Sequence, residues 1–254
     1  MSAVPSPSPT SSTVVQQLRR QLLRCQVTHA TISTGYPTFD RLLPESGLPS
    51  GSVIEWISDE PGLHATTIAL RCAAEFLQQP GALAVVDPLN DFHPMSVEHL
   101  GIPLSRLLLV RPCAPSSAAI SSQAQRSDAL WALEQLARCP GVRVVITWVD
   151  RLSSTAQRRL QLAVEKSGVT VFLMRPTSAL HQTSWADLKF QVQSTPQVSA
   201  PAVTDSAHIR VQLVRSKNSV RCHGQVLLDC NHETGHVLEA AELADPASAK
   251  TPAY

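Results

Sequence analysis

Long apolar runs, paired cysteines and aromatic side chains are scarce or missing in this sequence. It contains no stretch of about 18 apolar residues, so we expect no membrane-spanning helix and no membrane partner. The six cysteines form no CxxC pair, which is typical of reduced thiols and favours a cytoplasmic location. Aromatic residues account for 4% of the chain and offer few platforms for stacked bases. The net charge of +1 also disfavours strongly electrostatic DNA binding, so we expect direct DNA contact to be weak.

The 254 residues suit one α/β domain of about 200 residues with a tail at each end. Residues 1–12 are rich in Ser and Pro and lack the pattern of a secretory signal, which predicts a disordered tail. Residues 13–30 carry a predicted amphipathic helix that either packs on the core or contacts a partner. The core is expected to span residues 31–240, with a flexible loop at 193–206 and a flexible tail at 241–254.

A strand, a loop and a helix follow one another between Gly51 and Leu77, as they do in proteins that bind phosphates. Residues 53–57 are β-prone and residues 58–65 are predicted to form a loop. In residues 66–77 apolar side chains recur along one face, which predicts an amphipathic helix. A P-loop has this arrangement: glycine-rich backbone and a Lys hold the phosphates, and a Ser or Thr binds magnesium.

The loop occupies the place of a P-loop but lacks most side chains of the GxxxxGK[ST] pattern. Gly62 is its one glycine, and His64 and Ala65 stand where Gly-Lys is expected. A protonated His64 has a shorter reach than Lys and only a partial charge at neutral pH. The candidate contacts of this vestigial nucleotide site are Gly62, His64, Thr66, Thr67 and, from a later strand, Asp150. We therefore expect no catalytic residue, no metal and no cofactor, with ATP and magnesium as the alternative.

The residues around this loop resemble the entry to a RecA-type recombinase core. The pattern ISTG…D…L…GLPSG…E is followed by TT.AL, and the likeness needs about one extra residue in the phosphate loop. A predicted strand at 82–86 ends in Asp87. The resemblance implies that the catalytic Glu of RecA proteins would stand two residues later. That position is Leu89, which can neither accept a proton nor orient a water.

Asp150 ends the strand predicted at 142–149, where a Walker B carboxylate would close the nucleotide site. It either fills that role or caps the helix predicted at 155–166, and we favour the cap. Asp87, Asp91 and Asp150 also suggest a magnesium cluster at the carboxyl edge of a parallel sheet. In a RecA-like sheet, Asp87 and Asp150 would follow the carboxyl ends of neighbouring strands. No Lys is present to hold a phosphate beside such a cluster, so a metal would bind weakly. We therefore favour the interpretation that these aspartates are a remnant of a nucleotide site over the interpretation that they still bind a nucleotide.

Two further groups of residues have both a functional and an ordinary interpretation. The possible zinc ligands are Cys222, His223, Cys230, His232 and His236. Their spacing matches no familiar structural site, and alternate residues of a hairpin face opposite ways, so we predict no zinc. Two small basic clusters lie on predicted helices: Arg19, Arg20 and Arg24 on the first, and Arg158 and Arg159 on a later one. Each is either a solvated face or a contact for DNA or an acidic partner, and we favour the solvated face.

Apolar strands alternate with helices as far as residue 176, and two of these helices are predicted at residues 95–100 and 116–138. Strands predicted at 187–192, 208–214 and 224–228 then form an antiparallel extension. We predict an α/β fold: a RecA-like sandwich of the P-loop NTPase type, with a mostly parallel central sheet, a C-terminal antiparallel extension and a degenerate P-loop.

The stretches ALWALEQLARCPGVRVVITWVDRL and RRLQLAVEKSGVTVFLMRP make the likeness more specific. Over residues 31–176 the chain resembles ImuA, a RecA offshoot also described as SulA-like. The resemblance implies a catalytically inactive accessory protein of SOS mutagenesis and translesion synthesis. Its partners would be RecA, an ImuB-like Y-family polymerase homologue and a DnaE-type error-prone polymerase. The alternative is a RecA-like protein whose ATP binding gates the assembly of partners or DNA. Inhibition of cell division has no support from particular residues.

Overall fold

A mixed β-sheet forms the centre of the computed structural model, which describes residues 30–59, 64–112, 122–195, 206–217, 224–231 and 237–239. A separate two-stranded sheet comprises β1 (Thr31–Ile32) and β2 (Leu48–Pro49). The strands of the main sheet are β3 (Val53–Ser58), β4 (Ala82–Val86), β5 (Leu107–Val110), β6 (Val142–Trp148), β7 (Thr170–Pro176), β8 (Leu188–Thr195), β9 (Ser206–Ser216), β10 (Gly224–Asn231) and β11 (Val237–Glu239).

Six adjacent strands of the main sheet, in the order β8-β3-β7-β6-β4-β5, are parallel to one another. Beyond β8 the sheet continues with β9, β10 and β11 in antiparallel pairing. The parallel strands read as nearly continuous apolar runs because a parallel sheet is covered on both faces. The predicted mostly parallel sheet with a C-terminal antiparallel extension is therefore confirmed.

The helices of the described residues are α1 (Pro37–Leu42), α2 (His64–Phe76), α3 (Ser122–Leu136) and α4 (Ser154–Ser167). Short 3-10 segments cover Pro94–Leu100, Leu104–Arg106 and Thr177–Ala179. The helix predicted at 95–100 is thus a 3-10 segment, which ends at Gly101 in the left-handed conformation. The long helix predicted over residues 116–138 is described from residue 122 onward.

Apolar side chains form one core on each face of the sheet. On the first face, Trp56 of β3 lies among Phe39 of α1, Phe172 of β7 and Phe190 of β8, with ring centroids 4.9–6.1 Å apart. On the second face, the alternate residues of β3, β6 and β7 pack against α3 and α4. Leu133 and Leu160 are buried there. This two-sided burial makes the molecule a sandwich of helices around a sheet.

Two predicted boundaries need correction or lie outside the described residues. The flexible loop expected at 193–206 is too long, because β8 continues to Thr195 and β9 begins at Ser206. Residues 196–205 lie outside the described part of the chain, as do the tail predicted at 1–12, all but the last residue of the helix predicted at 13–30, and the tail predicted at 241–254.

The zinc interpretation finds no support in the part of the chain that the structure describes. Four of its five residues lie outside that part, and no group of three potential metal ligands occurs within it. Cys230, the fifth, is buried, and burial raises the pKa of its thiol. Among the described helices, none is both long and apolar enough to cross a membrane.

Candidate functional site

The predicted nucleotide site lies where β3 ends and α2 begins, at the carboxyl edge of the parallel strands. Open α/β sheets bind ligands at this edge. Ser58 is the last residue of β3, and His64 is the first residue of α2. Gly62 lies outside the described residues, so the described part of the site consists of the helix start and the strand ends beside it.

The start of α2 is largely buried. His64 and Thr66 are each 8% exposed, and Thr67 is half-buried. Among the residues that the structure describes, the Oγ1 hydroxyl of Thr66 has no hydrogen-bond partner. A buried hydroxyl without a partner costs about 1–3 kcal/mol, and such groups occur where a ligand or an ion completes the bonding. Thr66 is therefore the predicted site residue whose surroundings fit a bound nucleotide or magnesium ion.

Asp87 follows β4 and is only 2% exposed. Its two carboxylate oxygens accept hydrogen bonds from the backbone N–H groups of Asp91 and Phe92, at 3.1 and 3.2 Å. Arg111 Nε lies 3.0 Å from one of these oxygens and neutralises the charge. Asp87 therefore fastens the loop after β4, and its carboxylate is already occupied by protein donors.

Leu89 lies in this same loop, two residues beyond Asp87, and its side chain is 69% exposed. The loop's shape is set by Asn90, which has a left-handed φ of 62°, and by Phe92, which packs on Trp148 with ring centroids 5.9 Å apart. An exposed aliphatic side chain at this position supplies no group that could accept a proton from water.

Asp150 is exposed just beyond β6, and β6 neighbours β4 in the sheet, as predicted. The favoured interpretation of Asp150 as a helix cap is wrong. Ser153 caps α4, because its Oγ accepts the backbone N–H of Ala156 at 3.2 Å. The backbone carbonyl of Asp150 accepts a hydrogen bond from Arg175 Nη2 at 3.1 Å, which fixes the loop and leaves the carboxylate in solvent.

A buried ionic cluster of Glu55, Arg175 and Lys189 lies beside this loop, on three adjacent strands. Glu55 of β3 is 1% exposed and faces away from Trp56 because side chains alternate along a strand. Arg175 Nη1 of β7 donates to Glu55 Oε1 at 2.7 Å. Lys189 Nζ of β8 lies 3.5 Å from Glu55 Oε2. Each of the two oxygens of one carboxylate therefore faces a different cation.

The two cations of this cluster also fasten the chain after β7. Lys189 Nζ donates to the carbonyl oxygen of Ala179 at 3.0 Å and lies 3.3 Å from that of Leu180. Arg175 Nη2 donates to Gln182 Oε1 at 2.6 Å. Burial lowers the pKa of Lys189, and the charge of Glu55 opposes this effect. The cluster thus holds together the centre of the sheet and the segment from Thr177 to Gln182.

The fold defines a class of protein: an α/β core with RecA-like architecture, in which α2 follows β3 at the carboxyl edge of the parallel strands. The RadB recombinase structure superimposes with a TM-score of 0.58 at 16% identity, covering 82% of this chain and 99% of that one. This likeness shows the fold.

Comparison of the sequence with curated proteins also finds similarity to recombinases, namely to RecA proteins. The chain is 38% identical over 87 residues to the RecA protein of Lactiplantibacillus pentosus. The aligned region covers 34% of this chain and 23% of that protein. The chain is also 34% identical over 155 residues to the RecA protein of Chlorobium limicola, and this aligned region covers 56% of the chain and 44% of that protein. The match thus spans less than half the length of these curated relatives, and no family model matches the chain. Sequence and fold together support a place in the RecA superfamily.

The ionic cluster was not predicted from the sequence. A charged residue inside each apolar run, as in VIEWIS, VFLMRP and LKFQV, was the available signal. Because charged side chains are almost never fully buried without partners, three such residues in core strands indicate that they meet. The sequence alone did not indicate which strands would be neighbours.

Proposed function

We propose that this protein is a catalytically inactive RecA-like accessory factor in DNA-damage-induced translesion synthesis. It bridges RecA to the ImuB-like Y-family polymerase homologue and the DnaE-type error-prone polymerase. The observation that carries the proposal is Leu89: an exposed aliphatic side chain stands at the position that the RecA resemblance assigns to the catalytic base. The resemblance of residues 31–176 to ImuA supplies the biological setting.

The mechanism is one of docking without turnover. A RecA-like core whose edge charges are matched by protein groups keeps its shape without a nucleotide. Asp87 is paired with Arg111, and Glu55 with Arg175 and Lys189, so no bound magnesium ion is needed to neutralise these two carboxylates. A surface held in this way presents one constant face to its partners, and assembly follows partner concentration rather than ATP hydrolysis.

The expected result is partner capture that does not depend on nucleotide. The tagged chain is mixed with purified RecA filaments, the ImuB-like protein and the DnaE-type polymerase, with ATP, with a non-hydrolysable analogue and with no nucleotide. We expect equal capture by the tagged chain under all three conditions, and ATP hydrolysis by the chain alone at background level. RecA without the chain serves as the control, because it turns ATP over. Hydrolysis by this chain at a rate typical of recombinases would refute the proposal.

Thr66 favours a second candidate function, a nucleotide-gated switch. Its buried hydroxyl has no partner among the described residues. Asp150 is exposed after β6, which is separated from β3 by one strand, β7. Here ATP and magnesium bind at the start of α2, and binding rather than hydrolysis controls assembly. The residues that would hold them are Thr66, Thr67 and Asp150, with Gly62 and His64.

ATP affinity measured with and without magnesium separates the two functions. The switch predicts sub-millimolar, magnesium-dependent binding that Thr66→Ala weakens at least tenfold, because the hydroxyl would be an ion ligand. Thr183→Ala is the matched control, since Thr183 is exposed and distant in sequence from α2. The accessory proposal predicts no magnesium-dependent binding in any of the three proteins. An equal loss in both variants would contradict the switch.

A further inference from the structure

A groove of 530 Å³ lies between α3 and α4 at their C-terminal ends. Its lining residues are Arg138, Pro140, Arg159, Leu162, Ala163 and Lys166, with Ser167 at the rim. β6 begins at Val142 and β7 at Thr170, directly after these helix ends. The groove therefore lies at the amino edge of the parallel strands, opposite to the edge that carries Thr66 and Asp150.

Positive charge dominates the groove. Arg138, Arg159 and Lys166 line it, and the carboxylate of Glu134, which is 4% exposed, lies against the two arginines. Glu134 forms an ion pair with Arg159, and its Oε2 lies 3.9 Å from Arg138 Nη2. The partial negative charges of two helix C-termini, about half a charge each, add to that of Glu134. Three cations still exceed this total, so the groove favours an anionic ligand.

The groove also offers apolar surface. Leu162 is 49% exposed within it, beside Ala163 and Pro140. An aliphatic side chain of a ligand would cover Leu162 and remove apolar surface from water. None of the described residues that line the groove is aromatic, so they offer no platform for stacked nucleotide bases. Cations around a half-exposed leucine therefore fit an acidic peptide better than a nucleic acid.

The walls of the groove are held in place before any ligand binds. Ser167 Oγ donates to the carbonyl of Ala137 at 2.6 Å, which joins the ends of the two helices. The backbone N–H of Gly168, in the left-handed conformation at φ 77°, donates to Val164 at 2.9 Å and ends α4. The ion pair with Glu134 fixes Arg159. A preformed site costs little ordering entropy on binding.

We propose that this groove binds an acidic segment of a partner protein, with Asp or Glu side chains against Arg138 and Lys166 and a leucine-like side chain on Leu162. The groove provides a second docking surface on the molecule, at the opposite edge of the sheet from the candidate nucleotide site. It carries its own charge complementarity and does not depend on the bridging role proposed above, so either proposal can fail alone.

The test uses the full chain and a short fluorescein-labelled probe peptide, Asp-Glu-Leu-Glu-Asp-Leu-Glu-Asp, in a polarisation titration. We expect binding that weakens with salt and weakens at least tenfold in Lys166→Glu. Leu162→Ser is expected to weaken it severalfold, because the apolar contact is lost. Arg126→Glu is the matched control: it makes the same charge change at an exposed position of α3, outside the groove. Arg126→Glu should bind like the unchanged protein.

Competing occupants give distinct results. Equal weakening in Lys166→Glu and Arg126→Glu would mean a general charge effect and would overturn the proposal. Unchanged binding in Leu162→Ser, or equal binding of a probe with Ser in place of Leu, would also overturn it. Tighter binding of single-stranded oligothymidylate that is lost in Lys166→Glu would assign the groove to nucleic acid instead. Self-association of the chain that disappears in Lys166→Glu would assign it to a second copy. Circular dichroism confirms that each variant is folded.

Discussion

Replacing Glu55 with Gln is expected to lower the free energy of unfolding by about 3–5 kcal/mol. The substitution preserves shape but removes the charge that faces both Arg175 and Lys189, which are 1% and 3% exposed. Two buried cations then remain without a carboxylate, and leaving a buried charge unpaired is the costly step. Urea unfolding followed by circular dichroism measures the change. Glu98→Gln is the matched control, because Glu98 is exposed, and its expected change is within about 0.5 kcal/mol.

The pH dependence of this loss carries further information. Glu55 raises the pKa of Lys189 against the lowering effect of burial, so Glu55→Gln lets that pKa fall further. Above the lowered folded pKa, Lys189 is neutral in the folded variant but still binds a proton when unfolded, up to its ordinary pKa of about 10.4. The unfolded variant then binds more protons, so its stability rises with pH across this window. The difference in the free energy of unfolding between Glu55→Gln and the unchanged protein should therefore become smaller at alkaline pH.

Coupling within the cluster distinguishes an ion pair from simple packing. Arg175→Met alone leaves Glu55 with Lys189 as its remaining cation, whereas Arg175→Met in the Glu55→Gln background removes a cation that has already lost its partner. The double variant should therefore be more stable than the sum of the single changes predicts, by about 0.5–3 kcal/mol. Additive losses, or a loss below about 1 kcal/mol in Glu55→Gln, would show that the cluster contributes little.

The buried ionic cluster and the Asp87–Arg111 pair show how charges within the chain hold this part of the sheet in place. At the carboxyl edge the charges of Asp87 and Glu55 are matched by arginine and lysine side chains of the same chain. Their hydrogen bonds shape the loop after β4 and the segment after β7. The edge is therefore rigid for reasons internal to the protein, which supports the docking role proposed for it. The unpartnered hydroxyl of Thr66 is the opposing observation, and ATP titration decides between them.

The strands could be predicted from the sequence because each is a local apolar run. The strand predicted at 82–86 agrees with β4 at both ends, and the hairpin predicted at 208–214 and 224–228 lies within β9 and β10. Contacts between distant residues could not be predicted in this way. Glu55 and Arg175 are separated by 120 positions, and they meet only because β3 and β7 are neighbours in the sheet.

Asp150 shows a second kind of difficulty in reading the sequence. Asp, Ser and Thr all serve as helix caps, and the chain offers Asp150, Ser153 and Ser154 within five residues. Their propensities are similar, so the choice depends on the path of the backbone. The carbonyl of Asp150 is held by Arg175, and the chain needs three more residues before α4 can begin. The cap therefore falls at Ser153.

Replacing Trp56 with Ala should have an effect as large as that of Glu55→Gln, through packing instead of charge. Trp56 is fully buried, with ring centroids 6.1 Å from Phe39, 5.8 Å from Phe172 and 4.9 Å from Phe190. Removing the indole leaves a cavity among these three rings, for which the expected loss is about 3–5 kcal/mol. This loss is a large part of the roughly 5–15 kcal/mol by which a whole domain is typically stable. We therefore expect a measurable fraction of the variant to be unfolded under conditions in which the unchanged protein is folded.

Trp56→Phe separates ring packing from the indole N–H. Trp56 Nε1 is buried and has no hydrogen-bond partner among the described residues, and such a group costs about 1–3 kcal/mol. Phe removes that cost and keeps most of the aromatic contact, so the net loss should stay below about 1.5 kcal/mol. Trp131→Ala is the surface control, since Trp131 is 65% exposed, and it should change stability by less than about 0.5 kcal/mol. Circular dichroism must follow the unfolding, because the substitutions remove a fluorophore. Equal losses in Trp56→Ala and Trp131→Ala would contradict the aromatic core as the link between α1 and the strand that leads to the candidate nucleotide site.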